Sequence, residues 1–130
     1  MKFLIIASYS VSILKFRGAL VSAIHRAGFE IHIAAPDFKD YPEERKQLEA
    51  LGYIVHDITM QRTGTNPIVD SQTLFALYRL MKSIKPDYMM GYTIKPVIYG
   101  LLAAKLARVP HRYALITGLG YAFQGADEQE

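Results

Sequence analysis

Two short segments rich in hydroxyl side chains follow apolar runs in this sequence, and each carries basic residues close behind. The residues are Ser8, Ser10, Ser12 and Arg17 in the first segment, and Thr93 and Lys95 in the second. Hydroxyl groups, cations and the exposed N–H groups of a helix start all favour phosphate oxygens, so both segments are candidate anion-binding loops. The alternative is that the hydroxyl groups only cap helices and the cations are solvated. Position alone leaves the two interpretations equally open.

Sharper nucleotide-binding motifs fail in this sequence. Gly118 and Gly120 match the first two glycines of the dinucleotide fingerprint, but Phe123 replaces the third, and the segment follows the last predicted strand instead of the first. No P-loop sequence is present, which excludes an ordinary P-loop nucleotide hydrolase. We therefore expect no nicotinamide, flavin or other cofactor.

Thiol and metal chemistry are equally unsupported. The chain has no cysteine, so thiolate ligands, a cysteine nucleophile and disulfides are excluded, and a reducing cytoplasm is the default location. Asp37 stands where dinucleotide enzymes place a ribose-binding acid, but without the glycine loop it is expected to form a turn after Pro36. The histidines lack metal-ligand spacing, so we expect structural roles and no bound metal; they are His25, His32, His56 and His111.

Length and composition indicate one globular domain. The 130 residues are 51% hydrophobic and 21% charged, which excludes a two-domain enzyme within this chain. The uncharged stretch from Phe3 to Leu14 falls short of the roughly 20 residues that a transmembrane helix needs, and no signal-peptide cleavage site follows it. The formal charge is +3 although three acids lie in the last four positions, so the rest of the chain favours an anionic partner. We do not expect that partner to be a nucleic acid.

Short apolar runs alternate with longer amphipathic segments, which is typical of βαβ units around a parallel sheet. The predicted strands are Lys2–Ala7, Glu30–Ala35, Tyr53–Asp57, Tyr88–Gly91 and Arg112–Thr117. The predicted helices are Ile13–Ala27 capped by Ser12, Pro42–Leu51, a helix capped by Asp70 and ending at Ile84, and Pro96–Ala107. Residues Ile58–Val69 have no period and are predicted to form a long loop.

Five strands with four right-handed crossovers predict an α/β fold, a Rossmann-like doubly wound parallel sheet in the order 3-2-1-4-5 with helices on both faces. In such a sheet, ligands bind beyond the carboxyl ends of the strands at the point where the strand order reverses. That point lies between the loops after the first and fourth strands. These loops are the two hydroxyl-rich segments.

Four motifs, in order along the chain, carry a resemblance to a known family. They are Phe16-Arg17-Gly18, Arg62-x-Gly64-Thr65-Asn66-Pro67-Ile68, Tyr92-Thr93-Ile94-Lys95-Pro96-x-x-Tyr99-Gly100 and Thr117-Gly118-Leu119-Gly120-Tyr121-x-Phe123. Together they resemble the amino-terminal domain of GT-B glycosyltransferases related to family four. The similarity is strongest to bacterial enzymes that add a sugar to a polyprenyl-diphosphate-linked saccharide during glycan or capsule assembly.

The resemblance implies a division of labour between two Rossmann-like domains. The amino-terminal domain, here residues 1–130, receives the acceptor, and a carboxyl-terminal domain absent from this chain binds the UDP-sugar. The complete enzyme would be a retaining transferase that moves a hexose or N-acetylhexosamine and needs no metal or cofactor. This fragment alone would be inactive.

The same resemblance implies roles for individual residues. The expected acceptor-binding residues are Ser8, Ser10, Ser12, Arg17, Arg62, Thr93 and Lys95, and the expected cleft-lining residues are Thr117, Gly118 and Gly120. Many relatives carry a glycine pair in the first loop and a histidine early in the chain or near the fifth strand. The first loop here has neither, and Thr117 is followed by glycine, so the catalytic residue stays unknown.

A lipid-linked acceptor implies contact with a membrane. The helix ending at Ile84 carries more apolar side chains than one sheet-facing stripe needs, with Arg79, Lys82 and Lys85 near its end. This pattern suits peripheral attachment to an anionic membrane from the cytoplasm. Packing of this face on a protein partner is equally open.

Two further classes of function stay open at this level. One is the acceptor or membrane-docking subunit of a split transferase, whose donor half is a separate polypeptide. The other is a non-enzymatic, flavodoxin-like ligand-binding domain.

Overall fold

The structure, a computed structural model, describes residues 1–60 and 66–115. Nine elements alternate strictly along this part of the chain. They are β1 (Lys2–Ile6), α1 (Val11–Arg26), β2 (Glu30–Ala35), α2 (Pro42–Ala50), β3 (Ile54–Asp57), α3 (Pro67–Ile84), β4 (Tyr88–Tyr92), α4 (Ile94–Leu106) and β5 (His111–Leu115).

The five strands form one parallel sheet in the order β3-β2-β1-β4-β5. Central strand β1 pairs with β2 through Lys2 and Glu30, and with β4 through Phe3 and Tyr88. The order reverses between β1 and β4, so both the predicted fold class and the predicted topology are confirmed.

Two hydrophobic cores cover the two faces of the sheet, because side chains of β1 alternate between them. The first core, under α1 and α2, contains Phe3, Ile5, Ala7, Ile13, Val21, Ile31, Ile33, Ala35, Phe38, Leu48, Tyr53, Val55, Met90 and Tyr92. The second core, under α3 and α4, contains Leu4, Ile6, Ala34, Ile58, Met60, Leu77, Met81, Ile84, Met89, Ala103, Ala104 and Val109. The continuous apolar composition of the strands follows from this burial on both faces.

Three predicted helix starts are wrong. Helix α1 begins at Val11 instead of Ile13, so Ser12 lies inside its first turn. Helix α3 begins at Pro67, where the Asn66 side chain accepts a hydrogen bond from the Ile68 N–H at 3.0 Å, and Asp70 is not its cap. The Asn-Pro pair, interpreted as a loop signal, is a cap followed by a proline at the first helical position.

Helix α4 begins at Ile94, two residues before the predicted Pro96. The end of α3 follows the prediction: Lys85 adopts a left-handed conformation before Pro86 and stops the helix. Within the described residues, no helix combines the length and apolarity that crossing a bilayer requires.

Candidate functional site

The loops after β1 and β4 meet at the carboxyl edge of the sheet, as predicted. The hydroxyl groups of Ser8 and Thr93 lie 3.1 Å apart and share a hydrogen bond across the point where the strand order reverses. Ser8 is nearly buried, whereas Thr93 is exposed. This contact joins the two loops and leaves Thr93 exposed at the carboxyl edge of the sheet.

Thr93 carries backbone strain. Its φ of 69° and ψ of 168° lie in a region that is essentially restricted to glycine. It occupies the position before α4 without capping that helix, because its hydroxyl is directed to Ser8 instead. Strain that persists at the edge of a sheet, where ligands bind in this architecture, supports a functional role for this loop.

A close backbone approach explains how the chain turns there. A side chain at Gly91 would place its Cβ 2.6 Å from the carbonyl oxygen of Pro96. Only glycine lets the first turn of α4 rest against the end of β4 at this distance. Gly91 therefore sets where Thr93 and Lys95 lie.

The amino terminus of α1 is already occupied by a carboxylate. The N–H of Ser10 donates to Asp37 Oδ1 at 2.9 Å, across from the loop that follows β2. The expected turn is present too, since the Asp40 N–H donates to the Asp37 carbonyl at 3.0 Å. Ser10 is fully buried, and its hydroxyl has no partner among the described residues. The prediction for Asp37 was thus incomplete, because its side chain takes the place that a phosphate would need at this helix.

Ser12 belongs to a second set of polar contacts, on the same α1 side of the sheet as Ser10 and Asp37. Its hydroxyl donates to the Tyr9 carbonyl at 2.6 Å, so the Tyr92 hydroxyl, 2.9 Å away, donates to Ser12. Burial raises the pKa of Tyr92 and keeps it a proton donor. The guanidinium of Arg17 lies 5.4 Å from the centre of the Tyr92 ring. Arg17 therefore has a fixed aromatic platform, which the sequence did not predict.

Lys95 is held on the α4 side of the sheet, opposite Arg17. Its ammonium donates to Asp70 Oδ1 at 3.0 Å, and the two side chains are 14% and 16% exposed. Burial and the Asp70 carboxylate raise the pKa of Tyr99. Arg17 and Lys95 thus flank the switch point from different faces of the sheet, each beside its own polar partners.

Four expected site residues, Arg62, Thr117, Gly118 and Gly120, lie outside the described residues. Asp37, Asp70 and Tyr99 were missed as members of the site, and Tyr92 was placed in its second loop without a role of its own. Tyr92 and Tyr99 stand inside a quoted motif, which was the available signal for them. The two aspartates contact residues on other elements, and no local sequence pattern predicts such contacts.

Two of the histidines form a separate network away from these loops. His32, buried in β2, bonds through Nδ1 to His56 Nε2 at 2.9 Å and through Nε2 to Glu30. No cluster of three or more metal-ligating side chains occurs within residues 1–60 and 66–115. The network satisfies buried polar groups of the β2–β3 pair, which agrees with the structural role expected for these two histidines.

Known proteins resemble this chain in sequence and in fold. N,N'-diacetylbacillosaminyl-diphospho-undecaprenol alpha-1,3-N-acetylgalactosaminyltransferase of Campylobacter jejuni is 32% identical over 116 residues, covering 88% of this chain and 30% of that protein. The crystal structure of Acinetobacter baumannii MurG superposes with a TM-score of 0.64 at 20% identity, over 87% of this chain and 33% of MurG.

A third similar protein is an epimerase and not a transferase. UDP-GlcNAc 2-epimerase of Methanocaldococcus jannaschii, in complex with UDP-GlcNAc and UDP, gives a TM-score of 0.61 at 20% identity, over 87% of this chain and 32% of the epimerase. Structural likeness at this identity shows the fold alone. The chain spans about a third of the length of each of these relatives.

The family assignment comes from the sequence as a whole. The glycosyl transferase 4-like family matches residues 3–129, which is nearly the entire chain. The four motifs that carried the resemblance fall inside this match. The chain therefore belongs to the glycosyl transferase 4-like family.

Proposed function

We propose that this chain is the acceptor-side domain of a retaining glycosyltransferase. The enzyme transfers a hexose or N-acetylhexosamine from a UDP-sugar to a polyprenyl-diphosphate-linked saccharide, and a second domain binds the donor. The observation that carries the proposal is the joined pair of loops at the switch point, with Ser8 bonded to Thr93, in a chain of this family. The C. jejuni relative, whose name describes a diphospho-undecaprenol acceptor, supports the substrate class.

The arrangement supports a diphosphate held at the carboxyl edge of the sheet, between Arg17 on one side and Lys95 on the other. Arg17 approaches from the α1 side and Lys95 from the α4 side, and exposed Thr93 stands between their loops. Cations and hydroxyl donors bind phosphate oxygens through charge-assisted hydrogen bonds. In this proposal the domain orients the acceptor hydroxyl toward the anomeric carbon of the donor. Much of the rate then comes from positioning and from stabilising the departing UDP.

Retention of configuration is part of the proposal. The relative is named for an α-1,3 linkage, and making an α-linkage from an α-linked UDP-sugar retains the anomeric configuration. Arg62 and the segment with Thr117, Gly118 and Gly120 are proposed to complete the cleft, as the family resemblance implies.

Binding of a short acceptor analogue tests the proposal on the chain itself. Farnesyl diphosphate is titrated into the wild type, Arg17→Ala and Lys95→Ala. Lys46→Ala is the matched control, because Lys46 is an exposed cation on α2 and lies on neither of the two loops. Each charge-assisted contact is worth about 1.5–3 kcal/mol, so each site variant should weaken binding about tenfold to a hundredfold. UDP should bind poorly and equally to all four, and the isolated chain should transfer no sugar. Equal losses for Lys46→Ala, or tight UDP binding, contradict the acceptor assignment.

We also propose that the enzyme docks peripherally on anionic membrane through the outer surface of α3 and α4, here called the helix-pair face. Both helices cover the second core, so their outward side chains share one side of the molecule. Its exposed apolar residues are Ile68, Phe75, Ile98, Leu102 and Leu106, and its exposed cations include Arg79, Lys82 and Lys105. The Arg79 guanidinium lies 5.6 Å from the Phe75 ring centre. Apolar side chains interleaved with cations match the chemistry of an anionic bilayer surface.

Sedimentation with liposomes tests this attachment. The wild-type chain should bind vesicles rich in phosphatidylglycerol, bind pure phosphatidylcholine vesicles weakly, and dissociate with added salt. Arg79→Glu combined with Lys82→Glu should abolish binding, whereas Arg26→Glu with Lys46→Glu, on the α1 and α2 side, should reduce it less. Binding that ignores lipid charge, or a chain that self-associates through this face instead, contradicts the proposal.

A further inference from the structure

The ion pair between Lys95 and Asp70 joins the amino ends of two neighbouring helices. Lys95 lies in the first turn of α4 and Asp70 in the first turn of α3, with Nζ and Oδ1 3.0 Å apart. Both side chains are more than four-fifths buried. Contacts of this kind between buried partners are screened far less than surface pairs.

Lys95 stands at a place that its own helix disfavours. A helix amino terminus carries a partial positive charge, which repels a cation in the first turn. Helix α4 has no acidic residue in that turn, and Thr93 gives it no side-chain cap. The compensating negative charge therefore has to come from another element, and Asp70 supplies it.

Asp70 is available for this task because α3 does not use its side chain. The Asn66 side chain caps α3, so the Asp70 carboxylate is directed across to α4. Burial, together with the Asp70 carboxylate, raises the pKa of Tyr99, which lies one turn beyond Lys95. Tyr99 therefore stays protonated beside the ion pair and adds no second negative charge there.

We propose that Asp70 is a positioning residue that holds the Lys95 ammonium at the switch point against the field of α4. The inference rests on the proposed function in one respect, the contact between Lys95 and the acceptor diphosphate. Without the carboxylate, the cation swings away from the helix terminus into solvent. Asp70 itself does not touch the ligand.

The position of the ammonium is measured first, without any ligand. In NMR spectra of the wild-type chain, the two Hε protons of Lys95 should have separate chemical shifts, and should keep them in about 1 M NaCl because the pair is buried. Those of exposed Lys46, paired with Glu43 at 3.8 Å, should be averaged. Asp70→Asn should average the Lys95 signals, and Asp70→Glu should restore part of the separation. Averaged Lys95 signals in the wild type overturn the inference even if Asp70→Asn fails to fold.

Binding then shows whether Asp70 acts through Lys95. Dissociation constants for farnesyl diphosphate are measured for the wild type, Asp70→Asn, Lys95→Met and the double variant. Asp70→Asn should weaken binding at least about fivefold, and the double variant should bind no worse than Lys95→Met, because the two residues work as a unit. Removing a negative charge near an anion would by itself tighten binding, so tighter binding by Asp70→Asn overturns the inference. Losses of binding free energy that add fully in the double variant overturn it as well.

The two proposals fail differently. If Lys95→Met leaves farnesyl diphosphate binding unchanged while the NMR signals still depend on Asp70, the acceptor assignment fails and the positioning role stands. If Lys95→Met weakens binding but Asp70→Asn does not, the acceptor assignment stands and the positioning role fails. Competition with inorganic pyrophosphate separates recognition of the diphosphate from recognition of the lipid chain.

Discussion

The strained backbone of Thr93 leads to a prediction whose sign is unusual. Replacing alanine by glycine normally destabilises a protein, because glycine loses more conformational freedom on folding. At position 93 the native φ of 69° and ψ of 168° reverse the preference, since only glycine adopts them without strain. We therefore expect Thr93→Gly to be more stable than Thr93→Ala.

The size of the difference follows from two opposing terms. A residue with a Cβ pays of order 1–3 kcal/mol for this conformation. Glycine avoids that strain but costs about 0.5–1 kcal/mol through the entropy of the unfolded chain. Both variants lose the 3.1 Å hydrogen bond to Ser8, so that loss cancels in the comparison. The glycine variant should be more stable by about 1 kcal/mol.

Urea denaturation of the purified chains measures this difference. Ala19→Gly is the matched control, because Ala19 is an exposed residue within α1; it should lose about 1 kcal/mol. An alanine variant at position 93 that equals or exceeds the glycine variant in free energy of unfolding would refute the strain, and with it the argument that this loop is held in shape for a ligand.

Other substitutions test the elements that support the site. Gly91→Ala should cost at least about 2 kcal/mol in urea denaturation, since the new Cβ meets the main chain of Pro96 at 2.6 Å. Gly100→Ala should cost less, because its Cβ meets the flexible side-chain ends of Met89 and Ile6 at 3.0 and 3.1 Å; equal losses would argue against the close β4–α4 approach. Asn66→Ala should lower the melting temperature through the loss of about 1 kcal/mol of capping, and an unchanged melting temperature would contradict that cap. Burial, followed by His32 and Arg45, lowers the pKa of His56, so the unfolded chain takes up a proton first and stability should fall as the pH drops below 6.5. His56→Gln should flatten that part of the stability profile, and a wild type whose stability is constant there would contradict the shift.

The fold was predictable because its signals are local. Apolar runs such as Glu30–Ala35 and glycines that follow helices, such as Gly28 with its φ of 103°, each mark one element without reference to the rest. The handedness of crossovers then restricts the order of the strands. Helix starts were harder to predict, because the residue that accepts a hydrogen bond from the N–H groups of a helix start need not be nearby in sequence. Ser12 had the expected type for a cap, yet Asp37, from another loop, satisfies the start of α1.

The candidate site was predictable only in outline, for the same reason. Its loops follow from topology, and Ser8 and Thr93 were placed on them from the sequence. The partners that give the charges their direction are separated along the chain by 27 residues for Ser10 and Asp37, and by 25 for Asp70 and Lys95. No periodicity spans such distances, so these pairs emerge only once the elements are packed.

These pairs also determine how the proposed site would attract the anionic acceptor. The carboxylate of Asp37 lies at the start of α1 and that of Asp70 beside Lys95, so affinity for phosphate cannot come from a simple excess of positive charge. The affinity must come instead from groups that point at the ligand, such as free N–H groups at a helix start. Helix α1 has its amino terminus filled by Asp37, whereas α4 has neither an acid in its first turn nor a side-chain cap. We therefore expect a phosphate oxygen of the proposed acceptor to bind at α4, beside Lys95 and exposed Thr93. In the farnesyl diphosphate titration, Lys95→Ala should cost more affinity than Arg17→Ala, and the reverse order would move the diphosphate to the α1 side of the sheet.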